Sequence, residues 1–270
     1  MPNGKDTAEL SPGKFHGIAV DVGNSAIHVG RFEATSESLQ PSRAIVLDNT
    51  ELSLQPLEEF LAGNSISIAT WRLASVNDRA LQSLTDWLND HHPSHGQITI
   101  TAADCPIRVD VPQPDAVGID RLMAAVAADA MRSEAGSAIV IDAGTAITVD
   151  CLEHGIFRGG AILPGMRMAA AALDRYTEKL PLVATDPLAS PPAVGQDTAA
   201  AISSGIFWGT AGALQELIKQ MSGTLAGSTA VFITGGDGKR LAAHVAGARF
   251  VPHMVLSGIA LAQPTGASDA

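Results

Sequence analysis

The chain has 270 residues, 46% hydrophobic and 17% charged, the proportions of a globular protein with apolar material for one large domain or two ordinary ones. Its 28 acidic residues outnumber 17 basic ones, and a formal charge of -11 without a Lys/Arg cluster or aromatic platform excludes a general nucleic-acid surface. No apolar run reaches membrane-spanning length, which predicts no membrane partner and a cytoplasmic location, and Cys105 and Cys151 lack both metal-ligand spacing and the numbers for a disulfide framework.

Residues 1–14 are polar and carry Pro2, Gly4, Pro12 and Gly13, so they read as a flexible tail rather than a signal peptide or anchor; residues 263–270 read as a second tail. Short apolar runs predict strands at 17–22, 26–32, 44–47, 65–70 and 97–101. Helices fit at 56–62 and 78–89, the latter with Leu81, Leu84 and Leu88 on one face and Asn77 or Asp78 as cap. A connector containing Pro106, Pro112 and Pro114 leads into a helix running from near Gly118 towards Ser133. Strands then follow at 138–142, 146–152 and 157–163, with a helix from Pro164 to about Tyr176. A longer helix runs from Asp197 or Thr198 to Met221, before a strand at 230–234, a short helix after Asp237 and a last one near 256–261. The order β-β-β-α-β-α, met twice, predicts an α/β duplication with a cleft between two lobes, residues 15–116 and 117–262. Each lobe is expected to carry a mixed sheet, flanking helices and an antiparallel hairpin at its front.

The hairpins are the repeated unit. Gly17 to Phe32 bends at Asp21-Val22-Gly23-Asn24-Ser25, and Ser137 to Leu152 bends at Asp142-Ala143-Gly144-Thr145-Ala146. In each turn the glycine lets backbone approach a ligand, the following hydroxyl or amide offers hydrogen bonds, and the Asp can hold a cation that bridges phosphates. The chain has no Gly-x-x-x-x-Gly-Lys-Ser/Thr loop, so nucleotide charge would be met by backbone N–H groups, local arginines and metal ions.

A third group, Gly118-Ile119-Asp120-Arg121, stands at a helix start between the two copies. With the two hairpins, Pro106-Ile107-Arg108, Gly159-Gly160-Ala161-Ile162-Leu163-Pro164-Gly165, Gly195-Gln196-Asp197-Thr198 and Thr234-Gly235-Gly236-Asp237, it makes a sequence that resembles the type III pantothenate kinases. These belong to the superfamily of acetate and sugar kinases, heat-shock chaperones and actin. The resemblance implies two ribonuclease-H-like lobes and transfer of the γ-phosphoryl of ATP to the primary hydroxyl of pantothenate, the first step towards coenzyme A. It assigns Asp120 as general base and Gly118, Ile119, Asp120, Arg121 and Thr198 to pantothenate, with Thr198 acting across a homodimer interface. It assigns Asp21, Val22, Gly23, Asn24, Ser25, Ala26, Ile27, His28 and Thr145 to ATP, Asp21 to Mg²⁺ through water, and Asp142 to K⁺ or NH₄⁺. Gly235 and Gly236 would leave room near adenine. Two positions depart from the family pattern: Val109 stands where many relatives have tyrosine, and Asp197 where an asparagine is usual.

Structural readings compete at several of these residues. An isolated Asp-x-Gly caps a turn, and an isolated Asp120-Arg121 is a helix-start charge pair; the repeat and the order of the motifs favour function. Gly159-Gly160 and Pro164-Gly165 read equally as turn formers, Thr198 as an N-cap, and His28 as a structural histidine within a strand. His91-His92-Pro93-Ser94-His95 reads as a solvated loop without a metal. Two other functions remain open from sequence: a non-catalytic nucleotide-binding regulator, and a kinase for another small hydroxy acid.

Overall fold

The computed structural model describes residues 15–264 apart from 34–37, 50, 51, 65, 67, 133, 134 and 185–189; the predicted tails at 1–14 and 265–270 lie outside the described residues. β1 (Gly17–Val22), β2 (Ala26–Phe32) and β3 (Arg43–Asp48) form an antiparallel meander. α1 (Gln55–Gly63) follows, then β4 (Thr70–Ser75), α2 (Asp78–His91) and β5 (Gly96–Thr99). β4 is parallel to β1, giving a mixed sheet of order β3-β2-β1-β4-β5. The chain continues through β6 (Arg108–Val109), α3 (Ile119–Met131), β7 (Ser137–Ala143), β8 (Ala146–Glu153) and β9 (Ile156–Pro164). α4 (Met166–Arg175), α5 (Thr198–Ser222), β10 (Thr229–Thr234), α6 (Gly238–Ala242), β11 (Ala248–Phe250) and α7 (Met254–Leu261) complete it. The second sheet has the order β11-β10-β7-β8-β9-β6 and again pairs an antiparallel meander with parallel strands. The two sheets are the duplicated α/β lobes that the sequence predicts.

Local sequence explains the elements. β1 is buried on both faces except at Asp21, as its unbroken apolar run requires, whereas β2 alternates, sending Ile27 and Val29 into the outer core with α1 and α2. Asn77 caps α2, its side chain accepting from Ala80 N at 3.1 Å. The stripe that α2 buries is Ala80, Leu84 and Leu88, so Leu81 lies at the margin of the face rather than at its centre.

The strand expected at 65–70 begins where that prediction ends. Trp71, Leu73 and Ala74 are the buried residues, while Ile68 is 72% exposed, and 65 and 67 lie outside the described residues. Arg72 disguises the strand: a charged residue interrupts the apolar pattern, yet its Nη1 donates to the carbonyls of Ala260 (2.7 Å) and Ala262 (3.0 Å) at the end of α7. That contact satisfies helix carbonyls that have no partner within the helix. β6 and β11, of two and three residues, are too short for a periodic signal, and each adds an edge strand to the second sheet.

α3 and α7 lie between the sheets. Residues 122–128 of α3 and 254–259 of α7 are buried, and they share one core with Ala19 and Ala74 of the first sheet and Ala138, Val140 and Leu152 of the second. The alanines let the helices sit close, and Gly258 carries this further: a Cβ there would collide with the Met123 carbonyl. Asp21 at the end of β1, Asp142 at the end of β7 and Asp120 in the first turn of α3 therefore emerge at one mouth of the interlobe space. No helix among the described residues is long and apolar enough to cross a membrane.

Candidate active site

Each repeat turn is closed by its own backbone. Gly23 N donates to Ala26 O at 2.9 Å and Gly144 N to Ala146 O at 3.2 Å. Asn49 Nδ2 braces the first turn by donating to Gly23 O at 2.8 Å. Gly165 braces the second, donating its N–H to Thr145 O at 3.1 Å, where a side chain would collide with the Thr145 and Gly144 carbonyls. The two turns meet: Thr145 Oγ1 donates to Ser25 Oγ at 3.0 Å.

A cleft of about 690 Å³ opens at these turns. It gathers Asp21, Gly23, Asn24, Ser25, Ala26, His28, Asp120, Arg121, Asp142 and Thr145, and Gly235 and Gly236 lie on its wall. Five residues named from sequence do not line it. Val22 and Ile27 point into the outer core because side chains alternate along a strand. Ile119 packs against the central core, and Gly118 makes room for its neighbour, since a Cβ there would lie 2.5 Å from Asp120 Oδ1. Thr198 is exposed at the first turn of α5, behind the N-cap Asp197. Sequence reading missed Arg167, Phe250, Pro252 and His253 of the lining, and Asp150, the partner of Arg121. Of these only Asp150 carries a sequence signal, a carboxylate amid the apolar run of β8.

Charge in the cleft is strongly unbalanced. Burial, followed by the fields of Asp120 and Asp142, pushes the Asp21 carboxyl well above its ordinary value. Burial, then Asp120 and Asp150, pushes Asp142 up to about 7. Neither Asp21, Asp120 nor Asp142 has an ion-pair partner among the described residues, and the arginine whose field reaches Asp120, Arg121, is itself paired with Asp150. Of the arginines in the cleft, Arg121 is paired with Asp150 and Arg167 lies exposed on the first turn of α4. Converging carboxylates without ion-pair partners of their own fit hard cations. Among the described residues no group of three or more His, Cys, Asp or Glu is placed to hold a metal ion.

On the far wall, Gly235 adopts φ +87°, and a Cβ would lie 2.5 Å from the Ala143 carbonyl and from Asp142 Oδ1. The Gly-Gly turn thus packs directly on the strand that carries Asp142. His28 and His253 line the cleft, and burial lowers both below the usual histidine value. Of the segment 91–95, His91, Pro93 and Ser94 are exposed as a solvated stretch should be, but His95 is not. His95 is 7% exposed, accepts a 2.9 Å hydrogen bond from Trp71 Nε1 through Nδ1, and stacks on His92.

The sequence model of the type III pantothenate kinases matches residues 17–220. The chain belongs to this family. Type III pantothenate kinases of Rhodopirellula baltica and Akkermansia muciniphila are 35% and 32% identical to it over 245 and 231 residues, covering 82% and 85% of the chain and 87% and 91% of the relatives. One from Alkalilimnicola ehrlichii is 40% identical over 173 residues, 63% of the chain and 68% of the relative. A solved structure described as a Baf family transcriptional activator from Campylobacter jejuni superposes over 90% of the chain and 94% of its own length, with a TM-score of 0.56 and 24% identity, a likeness of fold. Both departures from the family pattern have structural uses here. Val109 packs against the central core from β6, and Asp197 caps α5 by accepting from Ala200 N at 2.8 Å.

Proposed function

We propose that Asp120 is the general base by which this type III pantothenate kinase activates its acceptor. The reaction transfers the γ-phosphoryl of ATP to the primary hydroxyl of pantothenate, giving 4'-phosphopantothenate and ADP. As the bond from the hydroxyl oxygen to phosphorus forms, the hydroxyl proton passes to an Asp120 oxygen. One observation carries this reading: Asp120 stands between the two phosphate-binding turns with its carboxylate already oriented, Oδ1 accepting from Arg121 N at 2.8 Å.

The other roles follow from place and chemistry. The first turn, Gly23 to Ser25, and Thr145 of the second offer N–H and hydroxyl groups to the ATP phosphates, and Arg167 adds positive charge at the rim. Gly235 and Gly236 leave space for the nucleoside. Asp21 would hold Mg²⁺ through water and Asp142 K⁺ or NH₄⁺, and the bound cations would offset the charge on the phosphoryl oxygens. Arg121 meets the anionic end of pantothenate. With Asp197 engaged as a cap, its carboxylate is turned to the helix rather than to the substrate. We assign Thr198 to pantothenate bound in a cytoplasmic homodimer.

Incubation of the purified chain with ATP, pantothenate, Mg²⁺ and K⁺ or NH₄⁺ should yield 4'-phosphopantothenate. Absence of that product would overturn the proposal. A panel of small hydroxy acids under the same ADP-coupled assay separates pantothenate from another acceptor.

A further inference from the structure

Asp150 sits within β8 between Val149 and Cys151, both buried, with 3% of its side chain exposed. A carboxylate in such a place is costly unless it is paired. Its partner is Arg121, whose Nε donates to Oδ1 and Oδ2 at 3.1 Å each and whose Nη2 donates to Oδ1 at 2.5 Å. Gly160 lies opposite Asp150 in the register, where a Cβ would collide with the Val149 carbonyl oxygen and lie 2.5 Å from Asp150 Oδ1. The Phe157 ring lies beneath the guanidinium, 5.7 Å from Cζ.

Arginine has five N–H donors in a planar fork. The side-on pairing with Asp150 occupies the Nε edge, and the Nη1 donors make no hydrogen bond among the described residues although Arg121 lines the cleft. Asp120 lines the same cleft and its field reaches the Arg121 guanidinium, so an anion held at that end shares the cleft with the Asp120 carboxylate.

We infer that Asp150 is a positioning residue that holds the Arg121 guanidinium side-on, so that its outer edge receives the carboxylate of the acceptor substrate next to Asp120. The inference rests on the reading of Asp120 and Arg121 given above and deepens it. Gly160 serves both the close approach of the two strands and the room that the Asp150 carboxylate needs. Burial pushes the Asp150 carboxyl upward while Arg121 opposes that shift, so the fork depends on both partners being present.

The test is steady-state kinetics of Asp150→Asn, with KM for pantothenate and for ATP measured separately and folding followed by thermal denaturation. The KM for pantothenate should rise by at least about tenfold, while that for ATP stays within about twofold. Asp150→Glu, which keeps the charge, should recover part of the loss. Thr148→Val removes a hydrogen bond to Asp150 while leaving the ion pair in place, and it should show the same split in smaller degree even where Asp150→Asn does not fold. If folded Asp150→Asn, or Thr148→Val in its stead, keeps the wild-type KM for pantothenate, the positioning role falls while the pantothenate kinase reading stands. Wild-type enzyme without turnover on pantothenate overturns both.

Discussion

Thr145 Oγ1 and Ser25 Oγ are joined by a 3.0 Å hydrogen bond, which ties the turn of the second hairpin to that of the first. Both hydroxyls line the cleft, so a phosphate entering between the turns must exchange this bond for bonds to itself. A neutral hydrogen bond contributes about 0.5–1.5 kcal/mol net, so Thr145→Val and Ser25→Ala should each raise the KM for ATP by roughly 2- to 10-fold. The coupled ADP assay at saturating pantothenate checks this. An unchanged KM in both variants would show that the turns bind phosphate through backbone alone.

Asp120→Asn keeps the shape of the carboxylate and removes its capacity to take a proton. Turnover should fall by about 10²- to 10⁴-fold, the usual contribution of a general base. Calorimetric affinity for a non-hydrolysable ATP analogue should stay within about threefold, because the turns proposed to bind the phosphates are untouched. Near-normal turnover would remove Asp120 from the proton transfer.

Burial, then the fields of Asp120 and Asp150, pushes Asp142 from 3.8 up to about 7 in the folded chain, and Asp21 is displaced in the same direction. Between those limits the folded state holds a proton that the unfolded state has released. Stability from these groups is therefore complete below about pH 4 and is lost as pH rises through about 7. In chelator, without added cations, the Tm of wild type relative to Asp142→Asn should fall between about pH 5 and about pH 8. A constant difference would contradict the assigned burial and repulsion.

Gly258→Ala adds a methyl where α7 meets the Met123 carbonyl of α3. Forced overpacking of this kind costs about 1–3 kcal/mol, which urea unfolding should register as a lowered midpoint. The pH dependence of turnover should be unchanged, since Gly258 lies outside the cleft lining.

The hairpins, the α2 cap and the run of α3 are legible in the sequence because each is specified locally, by alternation, a capping residue or helical spacing. Asp21, Asp120 and Asp142 are legible for a related reason: each stands at the boundary of such an element. What escapes is specified by partners remote in sequence. β4 is hidden by Arg72, whose charge reads as surface until the carbonyls at the end of α7 are seen to receive it. His95 reads as solvated until Trp71 is placed beside it. His253 sits in a left-handed turn before α7, and Asp150 acquires meaning only once Arg121 reaches across from a different element. Val22 and Ile27 show the opposite error: their backbone borders the site, but strand alternation removes their side chains from it.

The bond from Arg72 to the end of α7 also sets an order of assembly. The first sheet is complete by residue 99, yet one of its faces is covered by a helix that begins at residue 254. α3 can cover part of that face once residue 131 is made, but the Arg72 guanidinium and the rest of it wait for α7, until nearly the whole chain has been made. The first-synthesised half of this kinase is thus completed by its last helix, and a chain truncated before Met254 should expose that face, which increased binding of a hydrophobic dye would register.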